Sequence, residues 1–171
     1  KRNYSSYSSN STETLNKSML DSTTSWSAEF NNTKQYMTID LSEDKTVLGT
    51  ITQGRGNSNQ WVKAYKISFK KSTWNNFYYI QQTGIASTAV STARIFFGNT
   101  DSDTKEKNIF NSSITARYVR YHPEIWEIWP SMRAGVLIPN ELITTSQEML
   151  STFQKTISST YIIINNINAT H

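Results

Sequence analysis

Apolar and polar residues alternate in three separate stretches of this 171-residue chain. Met37, Ile39 and Leu41 interleave with Tyr36, Thr38 and Asp40; Tyr65, Ile67 and Phe69 with Lys66, Ser68 and Lys70; Met132, Ala134 and Val136 with Arg133 and Gly135. Successive side chains of a strand point to opposite faces, so a period of two predicts strands with one buried face. Turn clusters at 54–59 (GRGNSN) and 98–102 (GNTDS) separate such runs. Short strands between turns predict an all-β sandwich or barrel over about residues 26 to 138.

The period changes after Pro139. Asn140 can cap a helix over 140–157, on which Leu142, Ile143, Met149, Leu150, Phe153 and Ile157 recur at spacings of three and four. That stripe predicts a helix that packs on the sandwich or links it to a neighbouring domain, or one that docks or oligomerises. Residues 161–171 form a β-prone piece with no assigned place. At the other end, residues 1–25 are polar and irregular, with Tyr4 and Tyr7 the large side chains before Leu15. By composition alone they offer little apolar area to offset chain entropy.

Length and charge narrow the function classes. A chain of this size makes one domain with a core that needs no covalent staples, and zero cysteines exclude disulfides. No apolar run approaches the roughly 18 residues of a membrane-spanning helix. Lys1-Arg2 is followed by polar residues, so no signal peptide is expected within this sequence. The net charge is +4, but Lys and Arg are scattered, which argues against a nucleic-acid footprint. Two histidines and no cysteine leave zinc and thiol chemistry without ligands. His122 precedes Pro123 in a strand-end motif and reads as structural. Glu124 and Glu127 make a carboxylate pair, but no nucleophile signature or phosphate loop accompanies them. No enzyme is expected.

The order of several motifs is specific. Trp26, Gln35-Tyr36-Met37-Thr38-Ile39-Asp40-Leu41, Val47-Leu48-Gly49-Thr50-Ile51-Thr52-Gln53-Gly54-Arg55 and Gln60-Trp61-Val62-Lys63-Ala64-Tyr65 come first. Trp74, Phe97-Gly98-Asn99-Thr100-Asp101, Ile114-Thr115-Ala116-Arg117-Tyr118-Val119-Arg120, His122-Pro123, Trp126 and Ser131-Met132-Arg133 follow. In this the chain resembles discoidin domains, also called coagulation factor V/VIII type C domains, over about residues 4 to 138. The resemblance implies a discoidin-type jelly-roll β-sandwich of about eight strands at 1–138, followed by a C-terminal extension at 139–171. It implies non-catalytic binding through loops at one end of a rigid platform, with glycans, anionic phospholipid head groups, collagen or other proteins as ligands. Ser5-Ser6-Tyr7 is similar to the family's opening segment, so the resemblance also implies an ordered N-terminal stretch.

Two departures matter. Many members close the domain with a disulfide, absent here, so strand pairing must hold the ends. Membrane-binding members carry Trp, Leu or Met at loop tips, whereas the corresponding loops here, 8–13, 54–60 and 81–92, offer only Ile85 and Val90 in the third. One buried isoleucine contributes only a few kcal/mol, so a membrane surface is disfavoured as partner.

Arg55 lies in the turn where the family's arginine often faces ligand. Its planar fork suits vicinal hydroxyls or a carboxylate; alternatively it braces its own loop. Asn57 and Asn59, with Ser58, can read sugar hydroxyls or simply form an Asn-rich turn. Tyr7 and Trp126 are stacking candidates near strand ends, while Trp26 and Trp61 fall in packing motifs. Some members hold Ca²⁺ near the loops, and Asp21, Asp101 and Asp103 are oxygen donors in suitable places, although no fixed-spacing loop is present. Six Asn-X-Ser/Thr sequons decide little, because Ser and Thr make up about a quarter of the chain. Two functions follow: a glycan-binding or cell-surface adhesion module, and a scaffold domain that binds protein partners in an intracellular or ciliary assembly.

Overall fold

Two strands are too long to belong to a single sheet layer, and they organise the fold. In the computed structural model, which describes residues 1–8, 18–84 and 86–139, strand β3 runs Met37–Gln53 and β7 runs Glu106–Glu127. They pair antiparallel, and the register breaks between Asp40 and Lys45. At that break Ser42 takes a positive φ of 73°, and its N–H donates to Asp40 Oδ1 at 2.9 Å. This side-chain bond stands in for a ladder bond and lets the strand turn a corner.

The remaining strands fill two layers around the bent pair. They are β1 (Arg2–Tyr4), β2 (Trp26–Ser27), β4 (Trp61–Lys70), β5 (Tyr78–Tyr79), β6 (Ile95–Phe97) and β8 (Ser131–Leu137). The first halves of β3 and the second half of β7 join β1, β4, β5 and β6; the second half of β3 joins β8, which also takes β2. The all-β architecture is the one the alternation predicts, and its eight strands are the number the resemblance implied. Lys1–Ile138 forms one compact unit. The predicted helix at 140–157, with its docking stripe, lies outside the described residues.

The three alternating runs fall within β3, β4 and β8. Met37, Tyr65, Ile67, Met132 and Ala134 are buried with Val119 and Tyr121 between the layers. Two tyrosines bolt the layers together. Tyr65 shares a hydrogen bond of 2.9 Å with Thr50 Oγ1, and Tyr121 donates to the Gly135 carbonyl at 2.6 Å. Their rings lie 5.7 Å apart at the centre of the core. Buried phenols need such partners, since an unmatched hydroxyl in this environment costs about 1–3 kcal/mol.

The N-terminal stretch is ordered where described, as the resemblance implied and composition did not. β1 pairs β3, Ser18 is fully buried, and Tyr4 and Ser18 share a hydrogen bond of 2.6 Å. Tyr4 also stacks on Trp26, which is 1% exposed and donates from Nε1 to the Ser6 carbonyl. Arg2 Nη2 reaches the Ala134 carbonyl at 2.6 Å, so the first strand is tied to the last without a disulfide.

Candidate functional site

β3 ends at Gln53 and β4 begins at Trp61, and the turn between them forms one wall of an open cleft. Gly54 opens this turn because nothing larger fits: a Cβ there would stand 2.7 Å from Trp61 Cβ and 2.8 Å from the Asp101 carbonyl oxygen. The cleft measures about 470 Å³. Asp21, Ser22 and Thr23 line it from one side, Asn57 and Gly56 from the turn, and Asp103 and Arg133 from the floor. Most of its lining residues carry polar side chains.

Arg133 holds these walls together. The alternation in β8 places it opposite Met132 and Ala134, yet its side chain is only 2% exposed. It donates from Nε to Gly54 O at 2.7 Å, from Nη1 to Ser22 O at 2.6 Å, and from Nη2 to Ser102 O at 2.9 Å and Asp103 Oδ1 at 2.6 Å. One guanidinium thus joins three loops. A second brace crosses beside it. Asp21, at φ 63°, accepts from Lys105 Nζ at 2.7 Å, and its own N–H donates to Gln53 Oε1 at 2.8 Å. The Lys105 bond keeps the Asp21 carboxyl below its ordinary range.

Arg55 does not line the cleft; it lies folded along its own turn, beside Gly56 and Asn57, which do. Nε donates to Asn57 Oδ1 at 2.9 Å and Nη1 to Gln60 Oε1 at 3.0 Å, both neutral partners rather than the acidic neighbour a brace would ordinarily take. Asn57 lines the cleft with its oxygen already engaged; Asn59 is exposed in the same turn without lining it. Tyr7 is 53% exposed and Trp126 half-buried opposite Val62, and neither lines the cleft. The segment 81–92 stands apart: Gln81, Gly84 and Ala86 line a separate crevice with Phe69, Phe110 and Ile114. Ile85 and residues 9–13 of the first loop lie outside the described residues.

Each of the three aspartates named for Ca²⁺ has partners within the chain, and two of them, Asp21 and Asp103, line the cleft. Asp21 is held by Lys105 and Asp103 by Arg133, while Asp101 Oδ1 accepts the N–H groups of Asp103 and Thr104 at 2.7 and 2.6 Å. Among the described residues no group of three or more His, Cys, Asp or Glu could share an ion.

Sequence reasoning missed Arg133. Its neighbours signal a strand with a solvent-facing polar side, and the nearest signal was its place in the Ser-Met-Arg motif of the resemblance. His122 behaves as a structural residue, donating or accepting with Ser68 Oγ at 2.8 Å. Burial, then Arg120 and Lys66, push its pKa down to about 3.

Comparison with known proteins agrees with this architecture. Retinoschisin of Mus musculus is 30% identical over 128 residues, 72% of this chain and 54% of the relative, so the chain spans about half its length. Discoidin II of Dictyostelium discoideum superposes with a TM-score of 0.67 at 21% identity, over 85% of this chain and 57% of that one. A family 32 carbohydrate-binding module of C. perfringens NanJ, solved in complex with galactose, gives 0.53 at 13% identity, over 80% of this chain and 91% of that one. The F5/8 type C domain family matches residues 3–136, and the chain belongs to that family.

Proposed function

We propose that this chain is a non-catalytic binding module whose loop-end cleft takes a hydroxyl-rich ligand, a glycan or the glycan of a cell-surface glycoprotein. The observation that carries the reading is the cleft itself: open, polar, and built on a floor that cannot move without breaking four hydrogen bonds of one buried arginine. Asp21, Ser22, Thr23 and Asn57 offer both acceptors and donors, which suits sugar hydroxyls, each of which needs one of either. Rigid walls lower the ordering cost of binding a small polar ligand. The galactose complex of the distant carbohydrate-binding module supports the same class of ligand. Arg55, in the same turn as Asn57, contributes through the part of its fork not used by Asn57 and Gln60. A glycan array tests the reading: retention of a sugar, lost in Asn57→Ala and weakened in Arg55→Ala, is expected, and an array without any retained sugar overturns it.

A protein partner is the second reading, favoured by one patch. Phe97, 81% exposed, pairs through Ala64 with Ile125, 58% exposed, so two large apolar side chains flank one small residue on an outer face. If that patch binds protein, Phe97→Ser abolishes capture of the partner and leaves glycan retention intact.

A further inference from the structure

The outer face of the sheet formed by β3, β7, β4 and β5 carries a ladder of cations and aromatic rings. Arg120 lies sandwiched, its Cζ 3.9 Å from the centroid of Tyr36 and 3.8 Å from that of Phe77. Lys70 Nζ stands 5.4 Å from the same Phe77 ring and 5.0 Å from Tyr118, and Arg117 lies 4.9 Å from Tyr118. Register explains the arrangement: Thr38, Arg120 and Ser68 form one cross-strand row, and Asp40, Tyr118 and Lys70 the next.

The charges on this ladder do not balance. Asp40 pairs with Arg117 and Glu124 with Lys66, at 3.0 and 3.1 Å. Arg120 and Lys70 have no carboxylate among the described residues. Both stand against the ring of Phe77, close enough for their charges to repel across less than a Debye length of about 8–10 Å. Arg120 Nε is fixed by Thr38 Oγ1 at 2.9 Å, while its two Nη nitrogens make no hydrogen bond and are not sealed from solvent. A half-buried guanidinium, aimed by two rings and one hydroxyl, with its bidentate edge unused, is a preorganised oxyanion receptor.

We propose that this sheet face binds an acidic saccharide, with a carboxylate or sulfate ester on the Nη edge of Arg120 and on Lys70, a site separate from the loop-end cleft and independent of its ligand. A saccharide fits better than an acidic peptide. The sheet backbone is already paired and has no hydrogen bonds to offer a peptide main chain, whereas Tyr36, Phe77, Tyr79 and Tyr118, each partly exposed, give sugar C–H faces a stacking surface. Neutral His122, hydrogen-bonded to Ser68 in the next row, keeps the centre of the face free of further charge.

The test is calorimetric titration of the full chain with a galacturonate tetrasaccharide and, separately, a sulfated tetrasaccharide, with neutral galacto-oligosaccharide and polyglutamate as controls. Binding of either acidic sugar is expected, with the arm that binds naming the carboxylate or the sulfate as the group recognised. Lys70→Gln should weaken it about tenfold, the loss of one charge-assisted contact. Arg120→Lys should weaken it at least as much while the protein stays folded, because the charge survives and the fork does not. The ring resonances of His122 should move on binding in the wild type and not in Arg120→Lys. Equal affinity for polyglutamate overturns the saccharide assignment, and unchanged affinity in Lys70→Gln and Arg120→Lys overturns the site. Arg55→Ala must leave this binding intact; its loss there would return the ligand to the loop end and also overturn the proposal.

Discussion

Arg133 and Asp103 meet at 2.6 Å, yet 2% of the arginine side chain reaches solvent against 74% of the aspartate's. The pair is therefore unequal. The arginine is a buried group satisfied mainly by main-chain carbonyls, and the aspartate is an exposed partner screened by water. Asp103→Asn should lower stability by less than about 1 kcal/mol, as exposed ion pairs do. Arg133→Ala should cost about 3 kcal/mol or more, because it orphans the carbonyls of Gly54, Ser22 and Ser102 together. Urea unfolding of the two variants measures the contrast; equal losses would mean that the charge pair, not the carbonyls, holds the loops.

Alkaline pH should reach the core through Tyr65. Burial pushes its pKa up to about 12, from an ordinary 10. The unfolded chain then releases the proton first, so the stabilisation is complete below pH 10 and fades as pH rises from 10 to 12. Tyr65→Phe should soften that fade while costing about 1 kcal/mol at neutral pH for the lost bond to Thr50. Denaturant melts at pH 8, 10 and 11 give the slopes.

His122 works in the opposite direction. Its folded pKa, about 3, lies below the ordinary 6.5, so the native state resists a proton that the unfolded chain accepts. Stability is complete above pH 6.5 and declines as pH falls towards 3. Between pH 7 and 5, before carboxylates titrate, His122→Gln should flatten the decline. Proton NMR should find the His122 ring still neutral at pH 5.

Calcium should leave the melting temperature unchanged. Asp21, Asp101 and Asp103 are held by Lys105, backbone amides and Arg133. Scanning calorimetry with millimolar CaCl₂ against EDTA decides it: a rise of several degrees with the metal would show that an ion displaces Lys105. Lys105→Ala is the variant in which such a rise would then grow.

The layered core was readable because alternation and burial share one cause, and Met37, Tyr65, Ile67 and Ala134 all point inward as their spacing requires. The same rule failed for Arg133 and Ser68. Both occupy polar positions of an alternating run, and both are buried. In each case another element covers the outward face: loops close over Arg133, and His122 with the aromatic ladder covers Ser68. A strand's period says which way a side chain points and nothing of what a distant loop lays over it. The candidate site suffered for that reason. Arg55, Asn57 and Asp21 stood out by residue type in a turn or loop, but the residue that fixes their geometry lies in a strand about 80 positions along the chain from Gly54.

Arg133 grips oxygen atoms of the main chain at Gly54, Ser22 and Ser102, atoms that every amino acid carries. It is indifferent to what residues 22, 23, 102 or 57 display, provided the loops follow the same path. Specificity and foldedness are thereby uncoupled: the rim can drift in evolution, or be randomised in a display library, while the clamp beneath stays constant. A lineage of such domains could change what it recognises many times over without rebuilding its frame.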